Sequence, residues 1–520
     1  MIRLLLSLTI LACLANEAAA RGPFAAGEIE AARIELARYR ESARYLREPL
    51  RPQFHFTPER NWMNDPNGLV FHRGEYHLFY QHNPVGNAWG HMSWGHAVSP
   101  DLVRWEHLPI AILEEQDEMI FSGSCVIDHN NTSGFGTADN PPMVAIYTAH
   151  RSGNQAQSLA YSTDNGRTWT KHAGNPVLDL GEADFRDPKV FWHEPTERWV
   201  MVVSLAIAKR LQIYGSDDLK QWTLLSEFGP AGVDPKPNWE CPDLFELTIE
   251  DAAGKPTGET RWVLEVDMGD GAIAGGSGGE YFVGSFDGER FVCDDPNNAA
   301  HWVDFGRDFY APVSWSDVPS EDGRRIWIGW MNNWQTHLLP TSPWRSAMSV
   351  PRSLALRKTS DGLQLVQKPV EELKTLRRDQ TNLLEDDFVG RQLELELVAQ
   401  PVDDQPIRLS VLKGEEEATV IGYDPRAQQL YVDRTHSGQV DFHEAFAGVH
   451  RAPLKLNGKP LRLRVLVDRS SVEVFAQDGL VVITDRVFPA ESSVGITLDA
   501  PGADVKSFQG WRMASSWRDD

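Results

Sequence analysis

Apolar positions fall into distinct regimes along the 520 residues. From Glu28 to Leu46 they recur at intervals of three and four, at Ile29, Ala32, Leu36, Tyr39, Ala43 and Leu46, and Pro49 stops the pattern. That spacing predicts one short amphipathic helix. Beyond it, short runs rich in Val, Ile, Tyr, Phe and Trp are broken by Gly, Pro, Asn and Asp; Tyr76–Tyr80, Val144–Tyr147, Trp199–Ser204 and Ile326–Trp330 are examples. These read as strands separated by turns. After about residue 370 the texture changes to charged, strictly alternating stretches, Leu393–Val398, Ile407–Leu412 and Leu461–Val467. Alternation means one buried face per strand, as in a β-sandwich.

One turn pattern repeats within the first of these β regions: Ser or Thr, any residue, Asp, then an apolar residue four or five positions on. Its copies are Ser99-Asp101-Trp105, Ser162-Asp164-Trp169, Ser216-Asp218-Trp222, Ser285-Asp287-Phe291 and a degenerate Thr359-Asp361-Leu365. Their starts are 63, 54, 69 and 74 residues apart. Strands with a tight turn at such a period suit the blades of a propeller, and five copies imply five blades. The Asp side chain can bond backbone within the turn, so the repeat itself is structural. The expected fold is therefore all-β: a five-bladed β-propeller over residues 50–370, then a β-sandwich over 371–520. The polar segment Glu371–Asp387 contains the connection, and a helical extension occupies residues 21–49.

Composition narrows the partners. With 41% apolar and 24% charged residues the chain can bury large cores. Lys+Arg 50 against Asp+Glu 74 leaves a net charge of −24, which repels polyphosphates and anionic lipid. Nucleic acid and anionic membranes are thus disfavoured, while a neutral ligand is unaffected. Residues 1–20 read as a signal peptide: Arg3, an apolar stretch from Leu4 to Leu14, and small residues Ala18 to Ala20. A secreted or periplasmic protein is expected. The alternative is a degenerate lipoprotein box at Ile10-Leu11-Ala12-Cys13, with a lipid anchor on Cys13. The remaining thiols, Cys125, Cys241 and Cys293, are odd in number and read as small buried apolar residues.

Four segments combine polar and aromatic residues unusually densely: Asn61–Gly68, Phe121–Ser124, Phe185–Pro188 and Trp239–Pro242. Asp65 precedes the first turn repeat by 34 residues, Ser122 the second by 40, Asp187 the third by 29 and Glu240 the fourth by 45. Each falls near the start of its own repeat, where a propeller blade's innermost strand lines the central channel. Three carboxylates converging on that channel are the consequence. Singly, each has a structural reading: an Asp-Pro-Asn-Gly turn, a surface Arg186–Asp187 pair, a strand-end Glu240.

Paired carboxyl groups carry glycoside hydrolysis. A retaining mechanism needs one ionised carboxylate to attack and one protonated carboxyl to donate to the leaving oxygen, about 5–5.5 Å apart. A third can hold sugar hydroxyls. Trp239 and Cys241 give Glu240 apolar neighbours, which favour a protonated acid, and Arg186 beside Asp187 favours an ionised one. Gln81, Trp89 and Trp94 offer hydrogen bonds and a flat apolar wall. His91 and His96 lie in no metal-ligand spacing and read as structural, so neither metal nor cofactor is expected.

At these residues the chain strongly resembles glycoside hydrolase family 32, the levanases, exo-inulinases and invertases. Trp62-Met63-Asn64-Asp65-Pro66-Asn67-Gly68, Phe185-Arg186-Asp187-Pro188 and Glu240-Cys241-Pro242 are similar to its signature blocks, and Asp468–Phe475 to a segment of its sandwich. The resemblance runs from about Gln53 to the C-terminus and implies a propeller joined to a sandwich. It implies Asp65 as nucleophile, Asp187 as transition-state stabiliser and Glu240 as acid/base. Asn64, Gln81, Trp89, Phe121, Ser122, Arg186 and Trp330 are implied contacts of the fructosyl unit. The implied activity is exo-acting hydrolysis of terminal β-fructofuranosyl residues of levan or inulin, accompanied by sucrose cleavage. Competing readings are a fructosyltransferase using the same acids, a non-catalytic sugar-binding propeller, a sialidase and an inverting arabinanase. The helix before Pro49 lies outside the resemblance.

Overall fold

The computed structural model describes residues 24–517, apart from residue 26 and residues 234–237. The expected signal peptide and Cys13 lie outside the described residues.

Five antiparallel blades form in chain order, the fourth and fifth joined into one sheet where Ile249 and Glu250 run parallel to Leu356 and Arg357. The first comprises β1 (Asn61–His72), β2 (Glu75–Asn83), β3 (Ser93–Ser99) and β4 (Glu106–Ile112). The second comprises β5 (Met119–Ile127), β6 (Met143–Arg151), β7 (Asn154–Ser162) and β8 (Thr170–Lys171). In the third are β9 (Phe185–His193), β10 (Arg198–Leu205), β11 (Arg210–Ser216) and β12 (Thr223–Phe228). The fourth contains β13 (Trp239–Glu250), β14 (Pro256–Met268), β15 (Gly278–Phe286) and β16 (Phe291–Cys293), with β17 (His301–Trp302) beside β15. In the fifth, β18 (Tyr310–Ser314), β19 (Arg325–Trp330), β21 (Arg352–Thr359) and β22 (Gly362–Pro369) pair in that order. Between them, β20 (Trp344–Arg345) runs parallel to β1 and ties the fifth blade to the first.

The first strands β1, β5, β9, β13 and β18 touch one another in sequence, and β18 returns to β1. They therefore form the inner ring of a closed five-bladed propeller. Every copy of the repeated turn lies between the third and fourth strands of its blade. Asp101 Oδ1 accepts the backbone N–H of Val103 and Arg104 at 3.1 and 2.8 Å, and Asp287 Oδ1 those of Glu289 and Arg290 at 2.9 and 2.7 Å. The degenerate fifth copy is in phase between β21 and β22, where Thr359 Oγ1 accepts the N–H of Asp361 at 3.1 Å.

After β22 a 3-10 segment, Glu371–Leu376, leads into strand Arg377–Asn382 of a six-stranded sheet, which faces a five-stranded one. Leu393, Leu395 and Leu397 meet Ile407, Leu409 and Val411 in the sandwich core. Strands Ser471–Ala476 and Val481–Arg486, outside the alternating stretches, are buried throughout. Their second face packs on the propeller, with Phe475 and Val482 in one cluster with Met63 and Met348. Buried charges seal that contact. The guanidinium of Arg352 on β21 donates to Asp304 Oδ2 at 3.1 Å and Thr484 Oγ1 at 2.7 Å, and pairs with Glu473. Charges buried so completely persist only when paired and hydrogen-bonded.

The N-terminal helix is shorter than its apolar period suggested. Helix α1 spans Glu28–Arg40, and none of its residues is buried. The chain then passes through turns to Leu46, which is buried at φ 53°, a left-handed conformation that no helix continues. Within the helix the expected positions Ile29, Ala32, Leu36 and Tyr39 are half-buried, and the Tyr39 hydroxyl also accepts the N–H of Leu46 at 3.1 Å.

Candidate active site

A proline sits in four of the five inner strands: Pro66, Pro188, Pro242 and Pro312. Proline has no N–H for a ladder and belongs at a bulge. The register accordingly slips between Met63 and Pro66, opposite Arg186–Lys189, between Glu240 and Asp243, and between Tyr310 and Val313. The second blade slips too, between Ile120 and Gly123, around Ser122. Residues before these prolines take left-handed backbone in three blades: Asp187 at φ 66°, Cys241 at 48° and Ala311 at 51°. The bulges turn side chains out of the pleat, and all three acids lie at them.

The acids are cross-tied. Cys241 N–H donates to Asp187 Oδ2 at 3.0 Å, and Cys241 Sγ lies 3.6 Å from Asp65 Oδ2. Asp65 Oδ2 also accepts the Ser122 hydroxyl at 2.7 Å. Burial raises the Asp65 carboxyl above its ordinary range, opposed by the hydrogen bonds from Ser122 and Asn64. Glu240 accepts Arg186 Nη2 at 2.7 Å on Oε1 and the Tyr310 hydroxyl on Oε2, and its side chain keeps 18% of its surface exposed. It is the most exposed of the three acids. The Asp187 N–H donates to Thr148 Oγ1 at 2.9 Å.

Arg186 is placed differently from expectation. Its Nε is 3.8 Å from Asp187, while its short bond goes to Glu240. Burial raises Asp187 to about 7, and Arg186 only partly opposes it. The neighbouring arginine therefore does not hold Asp187 in the ordinary carboxylate range, because desolvation outweighs its attraction.

The other expected contacts divide into lining and support. Trp89 is partly exposed and meets Phe121 edge-on at 6.0 Å, and Phe121 stacks on His150 at 4.4 Å. Gln81 is buried, donating to Asn67 Oδ1 and the Ile120 carbonyl at 2.8 and 2.9 Å. Asn64 is buried and accepts Trp62 Nε1 at 2.7 Å. Trp330 has no exposed surface; its Nε1 donates to the Met63 carbonyl at 3.1 Å, behind Trp62 and Trp334. Trp94, expected in the wall, is fully buried and braces the site from below by donating to the Phe121 carbonyl at 3.0 Å. His96 stacks on Phe79 at 4.1 Å, and His91 Nδ1 is 2.8 Å from Glu114.

Sequence reasoning missed three residues here. Cys241 is more than apolar filler, since both its N–H and its sulfur reach acids. Tyr310 stands two positions before Pro312, as Glu240 stands two before Pro242, and that shared offset was the available signal. Asp267 lies directly across the β13–β14 ladder from Glu240. It is fully buried, and burial followed by the charges of Asp65 and Glu240 pushes its carboxyl well above the usual range. No local motif marks it.

Inner-ring carboxylates at bulges, one hydrogen-bonded by a serine and one partly exposed, are suited to hydrolysis at a sugar carbon. The profile of the Glycosyl hydrolases family 32 N-terminal domain matches residues 55–369, and that of the Glycosyl hydrolases family 32 C terminal matches residues 356–512. The chain belongs to glycoside hydrolase family 32. It is 52% identical to a levanase of Bacillus subtilis over 479 residues, covering 89% of this chain and 70% of that protein. It is 40% identical to an extracellular exo-inulinase of Aspergillus awamori, covering 90% and 96%. The crystal structure of the Aspergillus awamori exo-inulinase superposes with a TM-score of 0.83 at 38% identity, over 91% of this chain and 100% of that one. A fructofuranosidase from Schwanniomyces occidentalis complexed with fructose gives 0.82 at 33% identity, over 91% and 100%. This member of the family is thus a glycoside hydrolase built as propeller plus sandwich.

Proposed function

We propose that the protein is an exo-acting retaining β-fructosidase that removes terminal β-fructofuranosyl residues from levan or inulin and also cleaves sucrose. The observation that carries this reading is the cross-tying of Asp65, Asp187 and Glu240 at the inner-strand bulges, in a chain 52% and 40% identical to a levanase and an exo-inulinase. Asp65, oriented by Ser122, attacks the anomeric carbon. Glu240, held between Arg186 and Tyr310 and open to solvent, protonates the departing oxygen and then deprotonates the incoming water. Asp187, fixed by the Cys241 N–H, holds hydroxyls of the fructosyl ring. Action outside the cell is part of this reading, in keeping with the extracellular relatives. Among the described residues no helix is long and apolar enough to cross a membrane.

Chromatography of early products from sucrose, inulin and levan tests the proposal. Free fructose from the first time points is expected from all three. Oligosaccharides accumulating without fructose would refute exo-attack, and larger fructosides formed from sucrose would favour transfer over hydrolysis.

A further inference from the structure

The helix that precedes the family-matched region has no core to stabilise, yet it is firmly tethered. None of α1's residues is buried, and Ile34 keeps 46% of its surface exposed. Its outer attachments are polar: Arg40 forks onto Glu59 at 2.7 and 2.6 Å, and Arg60 reaches Glu35 at 3.1 Å. The chain that follows it is anchored by Arg51, which is fully buried, bonds Glu48, Thr57 and the Pro58 carbonyl, and stacks over Trp344 at 3.9 Å. A helix so held, with so little buried surface, contributes little packing energy. What the tethers fix is its position.

Ahead of α1, Phe24 lies against the loop that carries Trp89. The Phe24 ring lies flat on His91, centroids 4.6 Å apart and planes at 19°. His91 is pinned by Glu114 at 2.8 Å and follows Trp89 by two residues in a loop where Gly90 takes φ 141°. Trp89 in turn meets Phe121, next to the Ser122 that bonds Asp65. Phe24 is thus separated from Asp65 by His91, the loop that carries Trp89, Phe121 and Ser122. Only the chain on the leaving-group side can extend that far.

We propose that Phe24, which precedes the tethered helix, forms an outer subsite for the fructan chain beyond the cleaved bond and so determines preference for polymer over sucrose. This rests on the fructosidase reading above. Aromatic rings bind sugars through their apolar faces, and losing one such contact weakens binding about three- to tenfold.

The test compares kcat and KM of the full chain with those of Phe24→Ala and Phe24→Trp, on sucrose and on long-chain inulin and levan. Phe24→Ala is expected to raise KM for at least one polymer by about three- to tenfold with kcat kept, to leave sucrose kinetics within about twofold, and to be rescued by Phe24→Trp. Equal losses on sucrose and polymer would mean that Phe24 merely props Trp89, and would overturn the proposal. No change on any substrate would overturn it too. A wild-type enzyme that releases no fructose from any of them would instead sink the fructosidase reading, and this subsite with it.

Discussion

Asp187 offers a measurable conflict between stability and function. Its carboxyl is raised from an ordinary 3.8 to about 7, chiefly by burial, with the charges of Glu240 and Asp65 adding to it and Arg186 opposing. In the unfolded chain it returns to the ordinary value. Between about pH 4 and pH 7 the folded protein thus keeps a proton that the unfolded chain has released, so stability falls as pH rises through this window and levels off above it. A displacement of about three units at about 1.4 kcal/mol each gives a loss of about 4 kcal/mol. Asp187→Asn removes the ionisation and fills the same space. Urea denaturation at pH 4, 5, 6, 7 and 8 should therefore show the variant gaining on the wild type by up to about 4 kcal/mol across the window. Its fructose release on every substrate should meanwhile fall by about 10²-fold or more, as for a removed transition-state partner. Parallel stability curves for the two proteins would refute the argument, because they would mean that Asp187 carries no raised carboxyl.

Ser122→Ala removes a 2.7 Å bond to Asp65 and should lower kcat/KM about 10–100-fold, for a charged hydrogen bond worth ~1.5–3 kcal/mol. Because that bond holds the Asp65 carboxyl down against burial, the acidic limb of the pH profile should also move up; an unmoved limb counts against Asp65 as nucleophile. Glu240→Ala should spare fluoride release from β-fructosyl fluoride, giving a burst followed by slow turnover that azide accelerates with retention, whereas Asp65→Asn should give no burst. The reverse pattern would exchange their roles. EDTA should leave activity intact, since three carboxylates suffice for the chemistry; loss restored by a divalent metal would overturn that expectation.

What the sequence made legible follows from what is local. The Asp-centred turns bond their own backbone within two to four residues, so four of them could be read directly, and their spacing located the blades. The degenerate fifth lacks the aromatic after its Asp, yet it lies in the same place because Thr359 holds that turn. The blocks around Asp65, Asp187 and Glu240 were visible because each inner strand carries its own bulge. The helix was over-extended because an apolar period cannot reveal that Tyr39 serves Leu46 by its hydroxyl. The sandwich's doubly buried strands were hidden for a similar reason: polar residues of the second face, Glu473 and Thr484 among them, are buried by bonding Arg352 of the propeller rather than by being apolar.

The same distinction explains the arginine. Adjacency in sequence joined Arg186 to Asp187, but neighbours along a strand point to opposite faces unless a bulge intervenes. Here the left-handed backbone of Asp187 turns that residue so that its carboxylate meets the Cys241 N–H from the next blade. Arg186 is left to span the gap to Glu240, 54 residues on, and to bond Gln155 from the blade before. One guanidinium thus touches three successive blades. Its short bond goes to Glu240, the acid proposed to exchange a proton, and no spacing rule within a single strand could have shown that.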